Sequence, residues 1–387
     1  MAGKIAERWK KLAGIDHWKN QLDPLDIDLR RSILIYGDLV EAIGDAFNNV
    51  KESKNYGMSR YSRANFFDRV GLVKGNPFRY EATRFIYGSS EVKFIEWTMV
   101  ESSWIGYVAV ATDEGKVALG RRDIVVAWRG TVLGSEMIDR IELDLVSASE
   151  ILGAAASGGG ATDPKVHEGF LSIYTSAKSG STHNQTSARE QVLSEIRRLV
   201  DEYKDEEISI TVSGHSMGSA IATINAADIV ANGYNKPTGK PDEPCLVTSI
   251  VTASPRVGDA DFKRAFSAME NLRQLRVRNA PDNVPDYPLN NYVDVGVELL
   301  IDTRKSPYLN PFASFHNQPV YLHGVAGTQG SGGGFELEVE RDIALINKEV
   351  GALKDEYRVP SSWWREKNKG MVQADDGTWH LDDHEED

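Results

Sequence analysis

Short apolar, β-branched runs punctuate the middle of the chain. IVVAW at 124–128, ISITV at 208–212 and LVTSIV at 246–251 are nearly continuous, the pattern of strands buried on both sides in a parallel sheet. QLRVRN at 274–279 alternates more evenly and reads as a further strand, near an edge. Between these runs the spacing changes to the helical period. Residues 187–204 (SAREQVLSEIRRLVDEYK) and 218–232 predict helices, and residues 24–49 (PLDIDLRRSILIYGDLVEAIGDAFNN) predict one or two more. Strand and helix alternating in this way predict an α/β sheet with helices on its faces. We expect one domain over residues 1–387, with an N-terminal helical segment over about 1–60 and a C-terminal extension over about 335–387. That extension opens on strand-like FELEVE, turns helical and ends in DDHEED, an acidic tail expected to be solvated or disordered.

One junction breaks the pattern. The run at 208–212 passes through Ser213 into Gly214-His215-Ser216-Met217-Gly218 and then into a helix rich in alanine and isoleucine. Glycines two before and two after a serine relieve crowding at a sharp strand-to-helix turn, which displays the central side chain. Ser216 then sits at the carboxyl end of a central strand, over a helix N-terminus whose free N–H groups favour developing negative charge. The glycine-rich stretches ASGGGATDP and GTQGSGGG lack the strand–loop–helix context and the lysine of a phosphate loop, and read as turns.

A serine hydroxyl needs a base, and the base needs an orienting acid. His215 adjoins Ser216, but the turn directs neighbouring side chains apart, so packing or hydrogen bonding beneath the turn suits it better. His17, His183, His380 and His384 lie in unpromising places, and His167 precedes the serine where the order serine, acid, histidine is expected. His316 and His323 are left as candidate bases. Asp282, just after the strand at 274–279 and flanked by prolines, is the candidate acid; Asp286 and Asp259 are the alternatives. For the oxyanion, the Met217 N–H comes with the turn, and Thr131, after the apolar run ending AWRG, supplies a second donor.

Composition narrows the partners. A net charge of −13 disfavours a phosphate footprint, so no nucleic acid is expected. The single cysteine, Cys245, permits no intramolecular disulfide, suits a reducing compartment and reads as a core residue. No window approaches the length of a membrane span, and the N-terminus lacks the features of a secretory or transit peptide. A cytoplasmic location is expected.

Taken in order, AWRGT (127–131), VHEGFLSIY (166–174), GHSMG (214–218), ASPRVGD (253–259) and APDNVPDYP (280–288) resemble the class 3 lipases of the α/β-hydrolase fold. The flanks LDPLDIDLRRSILIYGDLVEAIGDAF, FHNQPVYLHGVAG and RDIALINKEVGALKDEYRVPSSWWREKNKG look like plant type II phospholipases A1. The resemblance implies acyl hydrolysis at the sn-1 ester of phospholipids at a membrane or micelle surface, without metal or other cofactor. It carries the nucleophile onto Ser216 and the acid onto Asp282, and favours His316 over His323. The elbow departs from the family at Met217 and Ser219, where leucine and alanine or glycine are commoner, and the segment after Thr131 lacks a tryptophan many members have. Fungal relatives carry a lid in that region. Val132, Leu133, Met137, Ile138 and Ile141 are the candidates for an apolar lid face, or else an ordinary packed helix. A broader lipase acting on mono- or diacylglycerols or galactolipids, and a non-catalytic signalling module, are the competing readings.

Overall fold

The β-branched runs pair edge to edge, and their two-residue period sends alternate side chains to opposite faces of one sheet. The computed structural model describes residues 2–90, 102–130, 144–364 and 367–387. Its strands, in chain order, are β1 (Tyr80–Gly88), β2 (Ser103–Ala111), β3 (Arg122–Trp128), β4 (Leu145–Ser147), β5 (Lys165–His167), β6 (Ile208–His215), β7 (Leu246–Thr252), β8 (Leu272–Asn279), β9 (Val297–Ile301), β10 (Met371–Gln373) and β11 (Trp379–Leu381), the last two paired antiparallel by themselves. Seven of them form the main sheet in the order β1-β2-β3-β6-β7-β8-β9. β1, β2 and β3 run antiparallel, and β3, β6, β7, β8 and β9 pair in parallel. β4 and β5 make a small separate hairpin. A mostly parallel sheet with helices on both faces is the α/β-hydrolase architecture.

The alternation divides the core in two. Ile124, Val126, Ile210, Val212 and Val251 pack on one face with side chains from helices Glu168–Thr175, Ala188–Glu202, Met217–Ala231 and Ala260–Ser267. Val125, Ala127, Ile250, Leu275 and Val277 point the other way, towards helices Ile27–Ala46 and Gln318–Gly327. Helix Ala188–Glu202 opens on a capping box between Ser187 and Glu190, and Asp26 caps Ile27–Ala46 through the N–H groups of Asp28 and Leu29.

The segment at 274–279 does lie near an edge, one strand in, with β9 beside it as the edge itself. Other local expectations are corrected. FELEVE forms no strand: Phe335 makes one isolated bridge with Thr328 and turns its ring onto His323. The sequence after it makes a 3-10 turn, Ile343–Asn347, rather than an α-helix. Cys245 is partly buried against the core, and burial pushes its thiol up to about 12.

The acidic tail does not lie free. Asn48 donates to Asp383 at 2.8 Å, Arg69 pairs with Glu385 at 2.6 Å, and Arg63 with Asp387 at 2.8 Å. Polar partners on residues 48–69 convert a run that repels itself into a clasp over the N-terminal segment. Burial by itself raises the Asp383 carboxyl, but hydrogen bonds from Ser53, Asn48 and Asn55 outweigh it and leave the group below its ordinary range. Glu385 is lowered in the same way, burial being outweighed by Asn65, Ser62 and Arg69. Groups with depressed folded pKa values add stability that is present above the unfolded value and is lost as the pH falls through the folded one. Removing residues 383–387 should therefore lower the melting temperature at neutral pH by about 1–4 °C. In thermal scans repeated at falling pH, the difference should begin to shrink once the pH drops below the ordinary carboxylate range and should approach zero below the depressed folded values.

Candidate active site

β6 ends at His215, and Ser216 turns the chain with φ 56° and ψ −126° before helix Met217–Ala231 begins. A left-handed φ at a residue other than glycine stores strain, which persists only where the surroundings over-determine it. Here they do. A Cβ on Gly214 would lie 2.3 Å from the Gly218 carbonyl oxygen, and one on Gly218 would lie 2.4 Å from that of Trp128. The helix is pressed onto the end of β3 as closely as backbone allows. Ser219 clasps the turn from inside, its hydroxyl meeting the carbonyls of Gly214 at 2.8 Å and Thr252 at 2.7 Å. A residue with a hydroxyl thus has a specific use where the family more often has none.

Ser216 Oγ lies 2.9 Å from His316 Nε2, and His316 Nδ1 lies 2.9 Å from Asp282 Oδ2. Facing an acceptor-only carboxylate, Nδ1 carries the proton, so Nε2 is free to accept from the serine hydroxyl. Asp282 is buried, and each of its oxygens is held: Oδ1 accepts from the Val284 N–H at 3.0 Å, Oδ2 from the Tyr321 hydroxyl at 2.5 Å. Burial and then the neighbouring Asp282 charge push the Tyr321 hydroxyl well above its ordinary range, so it stays a donor. Asn279, at the end of β8, donates to the Phe315 carbonyl at 3.0 Å and to Thr303 at 2.8 Å, fixing the approach to His316. Beyond His316, Gln318 bridges the Thr252 hydroxyl (2.6 Å) and the Gly37 carbonyl (3.2 Å).

The other candidates have other partners. His215 Nε2 lies 2.7 Å from the His316 carbonyl, to which it donates. Burial, with the nearby His316 second, pulls its pKa down to about 3, so it is a neutral prop of the His316 main chain. His323 is buried on helix Gln318–Gly327, 2.7 Å from the Ser306 hydroxyl, with its ring tilted against that of Phe335. Burial and then Arg341 lower it to about 3, and it does not meet Ser216. His167 accepts from the Gly169 N–H as a helix cap, Asp259 caps helix Ala260–Ser267, and Asp286 pairs with Arg278. Tyr321, Asn279 and Gln318 went unread in the sequence, since a tyrosine, asparagine or glutamine in such a segment gives no sign of its partner.

Met217 occupies the first helical position, where the N–H has no acceptor within the helix. The end of β3 comes alongside: a Cβ on Gly130 would lie 3.6 Å from that of Ser216. Thr131, Val132, Leu133, Met137, Ile138 and Ile141 lie outside the described residues. Among the described residues, Glu41, Asp45 and Glu349 form the one trio with ligand spacing. Lys348 pairs directly with Asp45 there, supplying the counter-charge. The serine, imidazole and carboxylate are arranged for acyl transfer.

Residues 125–292 match the class 3 lipase family. Over its full length the chain is 52% identical to Phospholipase A1-II 1 of Oryza sativa subsp. indica, of which it covers 98%. It is 49% identical to Phospholipase A1-IIgamma of Arabidopsis thaliana over 99% of this chain and 94% of that one. Lip2 lipase from Yarrowia lipolytica gives a looser structural likeness, with 19% identity, a TM-score of 0.48, and 72% and 81% of the two chains covered.

The geometry sets two expectations. Gly218→Ala forces a methyl against main chain that cannot yield, and should cost about 2 kcal/mol or more in denaturant unfolding. Tyr321→Phe removes one donor to Asp282 without a steric change. It should lower kcat on an ester substrate about tenfold while leaving KM nearly unchanged.

Proposed function

The chain belongs to the class 3 lipase family, and from that premise we propose that it is a phospholipase A1, a serine acyl hydrolase that cleaves the sn-1 ester of phospholipids. One observation carries the reading: a strained elbow serine, an imidazole and a buried carboxylate joined by hydrogen bonds, in a chain 52% identical over its whole length to a phospholipase A1-II.

Ser216 Oγ attacks the ester carbonyl carbon as its proton passes to His316 Nε2. Asp282, held by Tyr321 and the Val284 N–H, stabilises the imidazolium that forms. The tetrahedral oxyanion takes hydrogen bonds from the Met217 N–H and, in this reading, from Thr131; one such donor is worth about 3–4 kcal/mol of transition-state stabilisation. Collapse breaks the ester C–O bond, His316 protonates the departing lysophospholipid alkoxide, and the acyl group stays on Ser216. Water then attacks the acyl-enzyme with His316 again accepting the proton, which releases the fatty acid and restores the serine. Val132, Leu133, Met137, Ile138 and Ile141 are proposed to cover the acyl chain. The single cysteine supports a cytoplasmic enzyme.

Phospholipid labelled separately at sn-1 and sn-2, offered beside diacylglycerol, triacylglycerol and galactolipid, tests the assignment. Release is expected chiefly from sn-1 of the phospholipid, and preferential release from sn-2 or from a neutral lipid would overturn it. Ser216→Ala should lower kcat by roughly 10⁵-fold or more. Retained activity in that protein would remove the serine from the mechanism.

A further inference from the structure

Phe312 is 93% exposed, four residues ahead of His316 on the same loop. Single exposed apolar residues are ordinary on loose loops, but this loop is fastened on both sides of the ring. Leu309 and Ala313 are buried with Ala352 and Leu353 in one small cluster. The Asn310 N–H donates to the Ala352 carbonyl at 2.9 Å, and its side-chain amide donates to that of Leu353 at 3.1 Å. The Asn310 side-chain Oδ1 accepts from the Phe312 N–H at 2.8 Å. Past the ring the chain is held again, where Asn279 donates to the Phe315 carbonyl at 3.0 Å. The loop buries Leu309 and Ala313 and half-buries Tyr308 and Phe315, yet keeps Phe312 in water. The loop after Asp282 has a similar feature: Leu289 is 60% exposed, just beyond Tyr287 and Pro288, whose carbonyls accept from the N–H and side chain of Arg256.

We propose that Phe312 is a bilayer anchor, entering the headgroup–acyl boundary of a lipid surface and holding the loop of His316 against it. This rests on the phospholipid reading above. The occupant follows from chemistry and charge. A diacyl phospholipid resides in a bilayer with its esters at that boundary, so the loops around Ser216 must meet it. The net charge of −13 gives no long-range attraction to anionic lipid, which leaves apolar insertion as the grip. A rigid aromatic suits this use because it has little conformational freedom to lose on insertion.

The experiment compares wild type, Phe312→Ser and Val117→Ser. Val117 is 77% exposed on helix Asp113–Leu119, which joins β2 to β3 at the rim opposite Ser216, so it serves as an exposed apolar control away from the site. Each protein is assayed on dioleoylphosphatidylcholine vesicles and on monomeric dihexanoylphosphatidylcholine. Each substitution is also placed in a Ser216→Ala background for co-sedimentation with the same vesicles. Phe312→Ser should lose about five- to tenfold in vesicle hydrolysis and binding, keep its rate on the monomeric substrate, and leave Val117→Ser matching wild type throughout. Unchanged vesicle binding by Phe312→Ser overturns the proposal. So does an equal loss on both substrates, which would make the ring a support for His316, or an equal loss in Val117→Ser. If wild type hydrolyses neither phospholipid, the phospholipase reading fails while co-sedimentation still decides the anchor.

Discussion

Helix Met217–Ala231 touches the end of β3 backbone to backbone, and the site is built around that contact. Gly218 is the residue that permits it, since any Cβ there would strike the carbonyls of Trp128 and Arg129. The approach forces the link between β6 and the helix to be as short as one residue, and so holds Ser216 at φ 56°. The same closeness explains the run of small side chains at the start of the helix and brings Gly130 beside Ser216. Strain at one residue is sustained by packing of the whole sheet–helix layer, whose strands and helix are buried along most of their length. An exposed turn of the same sequence has nothing to hold it there.

Around the elbow, the three reacting side chains come from three separate loops, and each loop is tied to the others by buried polar groups. Asn279 spans the β8 end and the His316 loop; His215 supports the His316 carbonyl; Tyr321 returns from the following helix to Asp282. A buried carboxylate with a missing partner is costly, so these tethers and the triad stabilise one another. The low-dielectric surroundings that depress His215 and raise Tyr321 keep both in single protonation states. They can therefore hold geometry without titrating near neutral pH.

Helix Ile27–Ala46 supports this arrangement from behind. Gly37 lets Leu322 of the His316-flanking helix approach closely, and its carbonyl accepts from Gln318. Arg30 donates to the carbonyls of Val325 and Thr328 at that helix's end, a cation placed where the unsatisfied carbonyls collect. The C-terminal segment returns to the same helix through Arg341 with Asp38 and Lys348 with Asp45. The N- and C-terminal regions thus form one support for the loop that delivers the imidazole.

Much of this was legible in the residues. Continuous β-branched runs marked β3, β6 and β7 because a strand buried on both faces leaves no polar alternation. The glycine spacing marked the elbow because a sharp turn is a local event. β1 was harder to read, since its polar side chains and register shifts break the period, and the fully buried β2 and the five-residue β9 went unread as well. Asp282 could be proposed because it follows a strand. Whether His316 or His323 reaches Ser216 was open to the residues alone, and the two stand seven positions apart in one segment. That choice belongs to contacts 34 and 100 residues apart in the chain, closed only when β6 and β8 line up across β7 and aim their ends at one point. Local pattern determined which residues turn, pair and coil. Long-range packing decided which of them meet, because the free energy that brings distant side chains together resides in the assembled sheet and not in any stretch of sequence.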